Sequence, residues 1–107
     1  MNAFIKLGVI EPLAQALYQQ GIRFPTVIQQ ASIPAIFKGK DIIGRSETGT
    51  GKTLAYLLPL VQRVDVKKGG TQVLIMTPTR ELAKQIFDVL RPFAILMEAD
   101  VADIIGG

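Results

Sequence analysis

Apolar residues follow two different spacings along this chain. In residues 11–20, Leu13, Ala14, Leu17 and Tyr18 recur every three or four positions, which places them on one stripe of a helix. Pro12 suits the first turn, where its missing N–H has no helical partner to lose, and Gly21 suits a left-handed stop. A second helical stretch runs from about Thr26 to Phe37 and ends at Gly39, with Pro34 predicting a kink or a displaced hydrogen bond. A third covers residues 52–64 and is interrupted at Pro59. A fourth covers about 79–90, after which Pro92 predicts a break. The second spacing is continuous: 41–44, 72–77 (QVLIMT) and 101–105 are short apolar runs that read as buried strands, with a turn at 67–70. Strand, helix, strand, helix, strand predicts an α/β fold in which helices flank a parallel sheet of about three strands. The crossovers should be right-handed and the ligands should sit at the C-terminal strand ends. Residues 1–40 then form a helical region and 41–107 the α/β region.

Composition narrows the chemistry. The 107 residues are 49% hydrophobic, enough for one small domain with a core. No run reaches the roughly 18 apolar residues of a membrane span, and the apolar stretch in MNAFIKLGV is too short for a secretory signal, so a cytoplasmic protein without membrane contact is expected. The absence of cysteine and histidine excludes disulfides, thiolate catalysis, a histidine base and a Cys/His zinc site. Carboxylates, Lys, Arg and backbone amides remain. A net charge of +3, with the 12 basic residues scattered, permits an anionic partner without demanding one.

SETGTGKT, residues 46–53, lies between an expected strand and an expected helix. It follows the phosphate-loop pattern G-x-x-x-x-G-K-[ST] except that Ser46 replaces the first glycine, a position that needs only a small residue. Gly49 and Gly51 let the backbone turn its N–H groups inward, and the following helix adds positive potential. Lys52 can reach the outer phosphates and Thr53 can place a hydroxyl on Mg2+. Ser46, Glu47, Thr48, Gly49, Thr50, Gly51, Lys52 and Thr53 are therefore the candidate nucleotide loop, with Lys52 and Thr53 serving catalysis and Thr53 the metal. The structural alternative is a glycine-rich turn ahead of a helix that happens to open with lysine. By itself such a loop also suits other NTPases or a small nucleotide kinase.

Its neighbours are more specific. GIRFPTVIQ (21–29) lies upstream with an isolated Phe4 before it, PTREL (78–82) follows the second expected strand, and Gly106-Gly107 close the sequence. Together with SETGTGKT, their order and spacing resemble the N-terminal part of the first RecA-like domain of a DEAD-box RNA helicase. The resemblance implies a RecA-like fold, ATP or ADP with Mg2+ as ligands, and RNA held by its backbone without sequence preference. In that family the glutamine matching Gln29 reads adenine, which an amide can do by donating and accepting at once. Thr26 and Gln29 are also spaced as a capping box, a purely structural alternative. Phe4 matches an adenine-stacking aromatic, against the alternative that it plugs the core, while Ile22 departs from the family's usual aromatic. Pro78, Thr79 and Arg80 match an RNA-binding element, expected on a helix capped by Thr77 with Pro78 in its first turn. The alternative is a structural cap with Arg80 solvated or paired. Gly106 and Gly107 match a glycine pair that approaches the RNA backbone.

Hydrolysis also needs an acidic group for the metal and a carboxylate for the attacking water. Met97-Glu98-Ala99-Asp100 differs from a D-E-A-D box by one letter, but that letter is the metal-binding aspartate, and the segment follows Lys52 too closely. It reads instead as the end of the helix after PTREL. The expectation is thus a fragment, without its acidic box or the second RecA-like domain in cis, that binds nucleotide but does not turn it over. Another P-loop enzyme and a non-catalytic interaction module are the alternatives.

Overall fold

A computed structural model describes residues 2–45 and 51–102, in which five helices follow one another: α1 (Ala3–Lys6), α2 (Glu11–Gln19), α3 (Val27–Phe37), α4 (Lys52–Arg63) and α5 (Arg80–Leu96). The periodic stretches all fold as helices. Pro12 stands in the first turn of α2, and Gly21, at φ 85°, lets the chain turn back so that Ile22 N–H donates to Leu17 O at 2.9 Å. α3 is capped by Thr26 and stops before Gly39, at φ 81°. Sequence reading missed α1, a single turn whose cap Asn2 accepts from Phe4 N–H at 2.7 Å.

The prolines do less than expected. α3 and α4 run unbroken through Pro34 and Pro59, and α5 passes Pro92 to end at Leu96 rather than near Leu90. Pro92 removes one donor, but it and Asp88, whose carbonyl loses its partner, are both exposed, so water can serve that oxygen. Beyond it Phe93 and Ala94 are buried in the core, and this burial holds the last turn helical.

Packing joins the two expected regions through one core. Phe4, Leu13, Leu17 and Ile33 from the first forty residues pack in a single cluster with Leu54, Leu58, Val61, Phe93 and Ala94. α3 lies on α4, α5 touches α4 and α2, and α1 rests on α2. Among the described residues, no helix is long and apolar enough to cross a membrane.

The expected sheet is the part of the fold that the described residues do not show. No strand occurs among the described residues: 41–45, 71–77, Val101 and Ala102 are irregular, and the rest of the third run lies outside the described residues. In the second segment Val73, Ile75 and Thr77 are half-buried, while Leu74 is 79% and Met76 84% exposed. Ile43 of the first segment is 91% exposed. A continuous apolar run signals residues suited to burial on both faces of a sheet, but a strand exists only where a neighbour supplies hydrogen bonds. These runs carry the preference for burial without the pairing.

Candidate nucleotide site

The best-defined polar cluster joins the starts of α3 and α4. Thr26, in extended conformation before α3, accepts from Gln29 N–H at 3.3 Å, and Thr26 N–H donates to Gln29 Oε1 at 2.9 Å. This is a complete capping box, in which a side chain and a backbone group satisfy each other reciprocally. Gln29 is only 2% exposed, and its Nε2 reaches across the fold to donate to Gly51 O at 3.2 Å. The same carbonyl accepts from Ala55 N–H at 3.2 Å as the first bond of α4. One buried amide therefore holds the beginnings of two helices together.

Gly51 caps α4 at φ 86°, a left-handed geometry that glycine adopts without cost. The helix it opens begins Lys52-Thr53 and carries no acidic residue in its own first turn, where its amide dipoles present positive potential. Thr53 is hydrogen-bonded to Tyr56. Burial pushes the Tyr56 hydroxyl above its ordinary value of 10.0, an effect that the Thr53 hydrogen bond partly offsets. Ser46, Glu47, Thr48, Gly49 and Thr50 lie outside the described residues, so Gly51, Lys52 and Thr53 are the part of the expected loop that the structure places.

The other expected positions are distributed elsewhere. Phe4 is 0% exposed within the core cluster, where no face of its ring is open to a base. At the start of α5 the cap is Thr79, not Thr77: Thr79 Oγ1 accepts from Leu82 N–H at 3.1 Å, while Thr77 donates its hydroxyl to Thr79 O at 2.9 Å. Pro78 thus precedes the cap instead of occupying the first turn. Thr79 itself is extended, at φ −132° and ψ 155°, so the helix starts only after it. Arg80 is exposed in that first turn, followed by Glu81. Met97 caps the C-terminus of α5 and Glu98 turns left-handed at φ 58°, so MEAD ends a helix as its sequence suggested. Gly106 and Gly107 lie outside the described residues.

Two long-range contacts had no signal in the sequence. The Gln62 amide accepts from Ile10 N–H and donates to Gly8 O, both at 3.0 Å, fixing α4 against the turn before α2. Arg63 donates to Ile36 O at 3.3 Å, a second tie between α4 and α3.

A buried glutamine seated against a Gly-Lys-Thr helix start joins two of the three sequence motifs into one place. The chain belongs to the DEAD/DEAH box helicase family, whose model matches residues 26–107. The ATP-dependent RNA helicase SrmB of Escherichia coli (strain K12) is 44% identical over 111 residues, covering 100% of this chain and 25% of that protein. Among solved structures, the RNA-helicase Prp28 from Chaetomium thermophilum bound to ADP superposes with a TM-score of 0.87 at 39% identity, covering 100% of this chain and 27% of that one. S. cerevisiae Dbp5 bound to RNA and ADP BeF3 gives 0.81 at 29% identity, covering 89% and 25%. The chain therefore spans about a quarter of the length of these relatives. Those neighbours are RecA-like helicase domains, although the sheet is not formed among the described residues of this chain.

Proposed function

We propose that this chain is the nucleotide-binding segment of an ATP-dependent RNA helicase, with ATP and Mg2+ as ligands and RNA as the partner. The observation that carries the reading is the bond from Gln29 Nε2 to Gly51 O, which sets a base-reading amide beside the start of the phosphate-binding helix. An amide has two acceptor lone pairs and two N–H donors, and the described bonds use one of each in the Gln29 side chain. The remaining pair fits adenine, which offers an amino donor beside a ring-nitrogen acceptor, once the surroundings that leave the side chain 2% exposed part to admit the base. Guanine instead offers two acceptors on that edge, so its oxygen would face the Gln29 oxygen.

Lys52 then neutralises the outer phosphates while the first-turn amides of α4 donate to them. Thr53, whose hydroxyl is a hard oxygen donor, is the residue that would hold Mg2+ beside the phosphates. When bound, the metal would offset charge between the outer phosphates. RNA contact is assigned to Pro78, Thr79 and Arg80 at the start of α5, with Gly106 and Gly107. Phosphate contacts of this sort give little sequence preference and fall away as salt rises.

Turnover is placed in the complete helicase rather than in this segment. A charge-stabilising arginine alone contributes about 10³ to 10⁵ in rate, and we assign it to the second RecA-like domain of the parent protein. Isothermal titration with ADP tests the binding claim. Binding by the 107-residue chain that is lost in Lys52→Ala supports it, and an unchanged affinity in Lys52→Ala contradicts it.

A further inference from the structure

We propose that Gly51 is a base-selectivity residue: its missing side chain makes the seat for the Gln29 amide, so the last glycine of the phosphate loop helps decide which base is accepted. The inference rests on the adenine reading of Gln29 and adds a second residue to it.

Space carries the argument. A Cβ added at Gly51 would overlap Gln29 Nε2, and it would stand 3.0 Å from Thr26 Oγ1 and 3.1 Å from Thr26 Cγ2. The amide cannot easily step aside. It is 2% exposed, its oxygen is held by Thr26 N–H at 2.9 Å, and its nitrogen is held by the Gly51 carbonyl itself. Thr26 is fixed in turn as the cap of α3.

Other glycines in the chain supply a contrast. Gly21, Gly39, Gly69 and Gly70 also have positive φ, yet an added Cβ at any of them meets nothing within 4 Å. Backbone geometry alone accounts for those four. Gly51 has the same backbone requirement at φ 86° and, in addition, a packed polar side chain where its own would lie. A substitution there must displace the amide, and with it the group that the adenine reading assigns to the base.

The two requirements can be separated because asparagine tolerates left-handed geometry far better than alanine while still carrying a Cβ. ADP and GDP are titrated into the 107-residue chain and into Gly51→Ala, Gly51→Asn, Gln29→Ala and the Gly51→Ala/Gln29→Ala double variant, each first checked for a cooperative melt. A base-reading pair should favour ADP over GDP by about tenfold in the parent chain, the lower part of what a bidentate contact discriminates. Both Gly51 variants should reduce this ratio to that of Gln29→Ala. In the Gln29→Ala background, where the seat is vacated, Gly51→Ala should leave the ratio unchanged. Should Gly51→Ala fail to melt cooperatively, Gly51→Asn and the double variant decide the matter. The inference is overturned if Gly51→Asn weakens ADP and GDP in parallel with the ratio intact, since the glycine would then serve phosphate alone. A parent chain that binds both nucleotides equally overturns the adenine reading and this inference together, an outcome visible before any variant is made.

Discussion

Replacing Gln29 with glutamate exchanges one NH2 for one oxygen and nothing else, so it isolates the bond to Gly51. The oxygen that accepts from Thr26 N–H is kept, whereas the donor to Gly51 O, 3.2 Å away, becomes a second acceptor. Below the ordinary glutamate value of about 4.3 the protonated carboxyl can still donate to that carbonyl. Once ionised, it is a charge at a site 2% exposed, facing another oxygen. Burial and the opposed carbonyl both disfavour the carboxylate, so its folded-state pKa lies above the unfolded one. The protonated form is then the stabilised one. Its contribution is fully present below about pH 4.3 and is lost as pH rises through the raised folded value. A buried unsatisfied group costs about 1–3 kcal/mol, and more when charged, so Gln29→Glu should lose about 2–4 kcal/mol near neutrality and under about 1 kcal/mol near pH 4. A domain of this size shifts about 4–8 °C per kcal/mol, giving a gap in Tm of about 8–32 °C at neutral pH. Thermal melts followed by circular dichroism, with the parent chain measured at every pH, remove the effects common to both. A gap that is equal at pH 4 and pH 7, or negligible at both, would refute the seating of the Gln29 amide on Gly51.

Three further outcomes probe the rest of the fold. Leu58→Ala, at a fully buried core position, should cost about 3–5 kcal/mol in urea unfolding, and a cost below about 1 kcal/mol would mean the core is not packed as described. Leu74→Thr and Met76→Thr, at positions 79% and 84% exposed, should each stay within about 0.5 kcal/mol of the parent by the same measurement; a large loss would mean that something covers this face. Tyr56 has its folded value raised above 10.0, so its contribution is full below pH 10.0 and is lost as pH rises through the raised value. Tyr56→Phe should therefore melt with less alkaline dependence than the parent, and parallel alkaline curves would contradict the burial of that hydroxyl.

Local features of the fold were the legible ones. The stripe of Leu13, Ala14 and Leu17, the Thr26 and Gln29 pair, and the stops at Gly21 and Gly39 each act within a few residues, and their helices form with boundaries close to those expected. Pro92 misled because a local penalty was outweighed by burial of Phe93 and Ala94 against residues distant in sequence. QVLIMT misled for a related reason: composition reports what a segment would gain from burial, whereas pairing depends on what lies beside it. At the site, Thr26 and Gln29 were readable as a cap and Gly51, Lys52 and Thr53 as the end of a loop. Assigning both to one nucleotide implied that they meet, but the bond that joins them was not readable, because it is a contact across 22 positions that only the packing of α3 on α4 creates. Phe4 shows the opposite limit, since an isolated phenylalanine looks the same in sequence whether it stacks on a base or fills a core.

The most direct test of a single nucleotide site built from the starts of α3 and α4 is an ADP titration of the 15N-labelled chain followed by NMR. The Gln29 side-chain amide and the backbone amides of Gly51, Lys52 and Thr53 should shift together along one saturating curve, because base and phosphates are read by groups already joined through the bond from Gln29 to Gly51. Shifts confined to the α4 amides, with Gln29 unmoved at saturation, would contradict the account and leave a site that binds phosphate without reading the base.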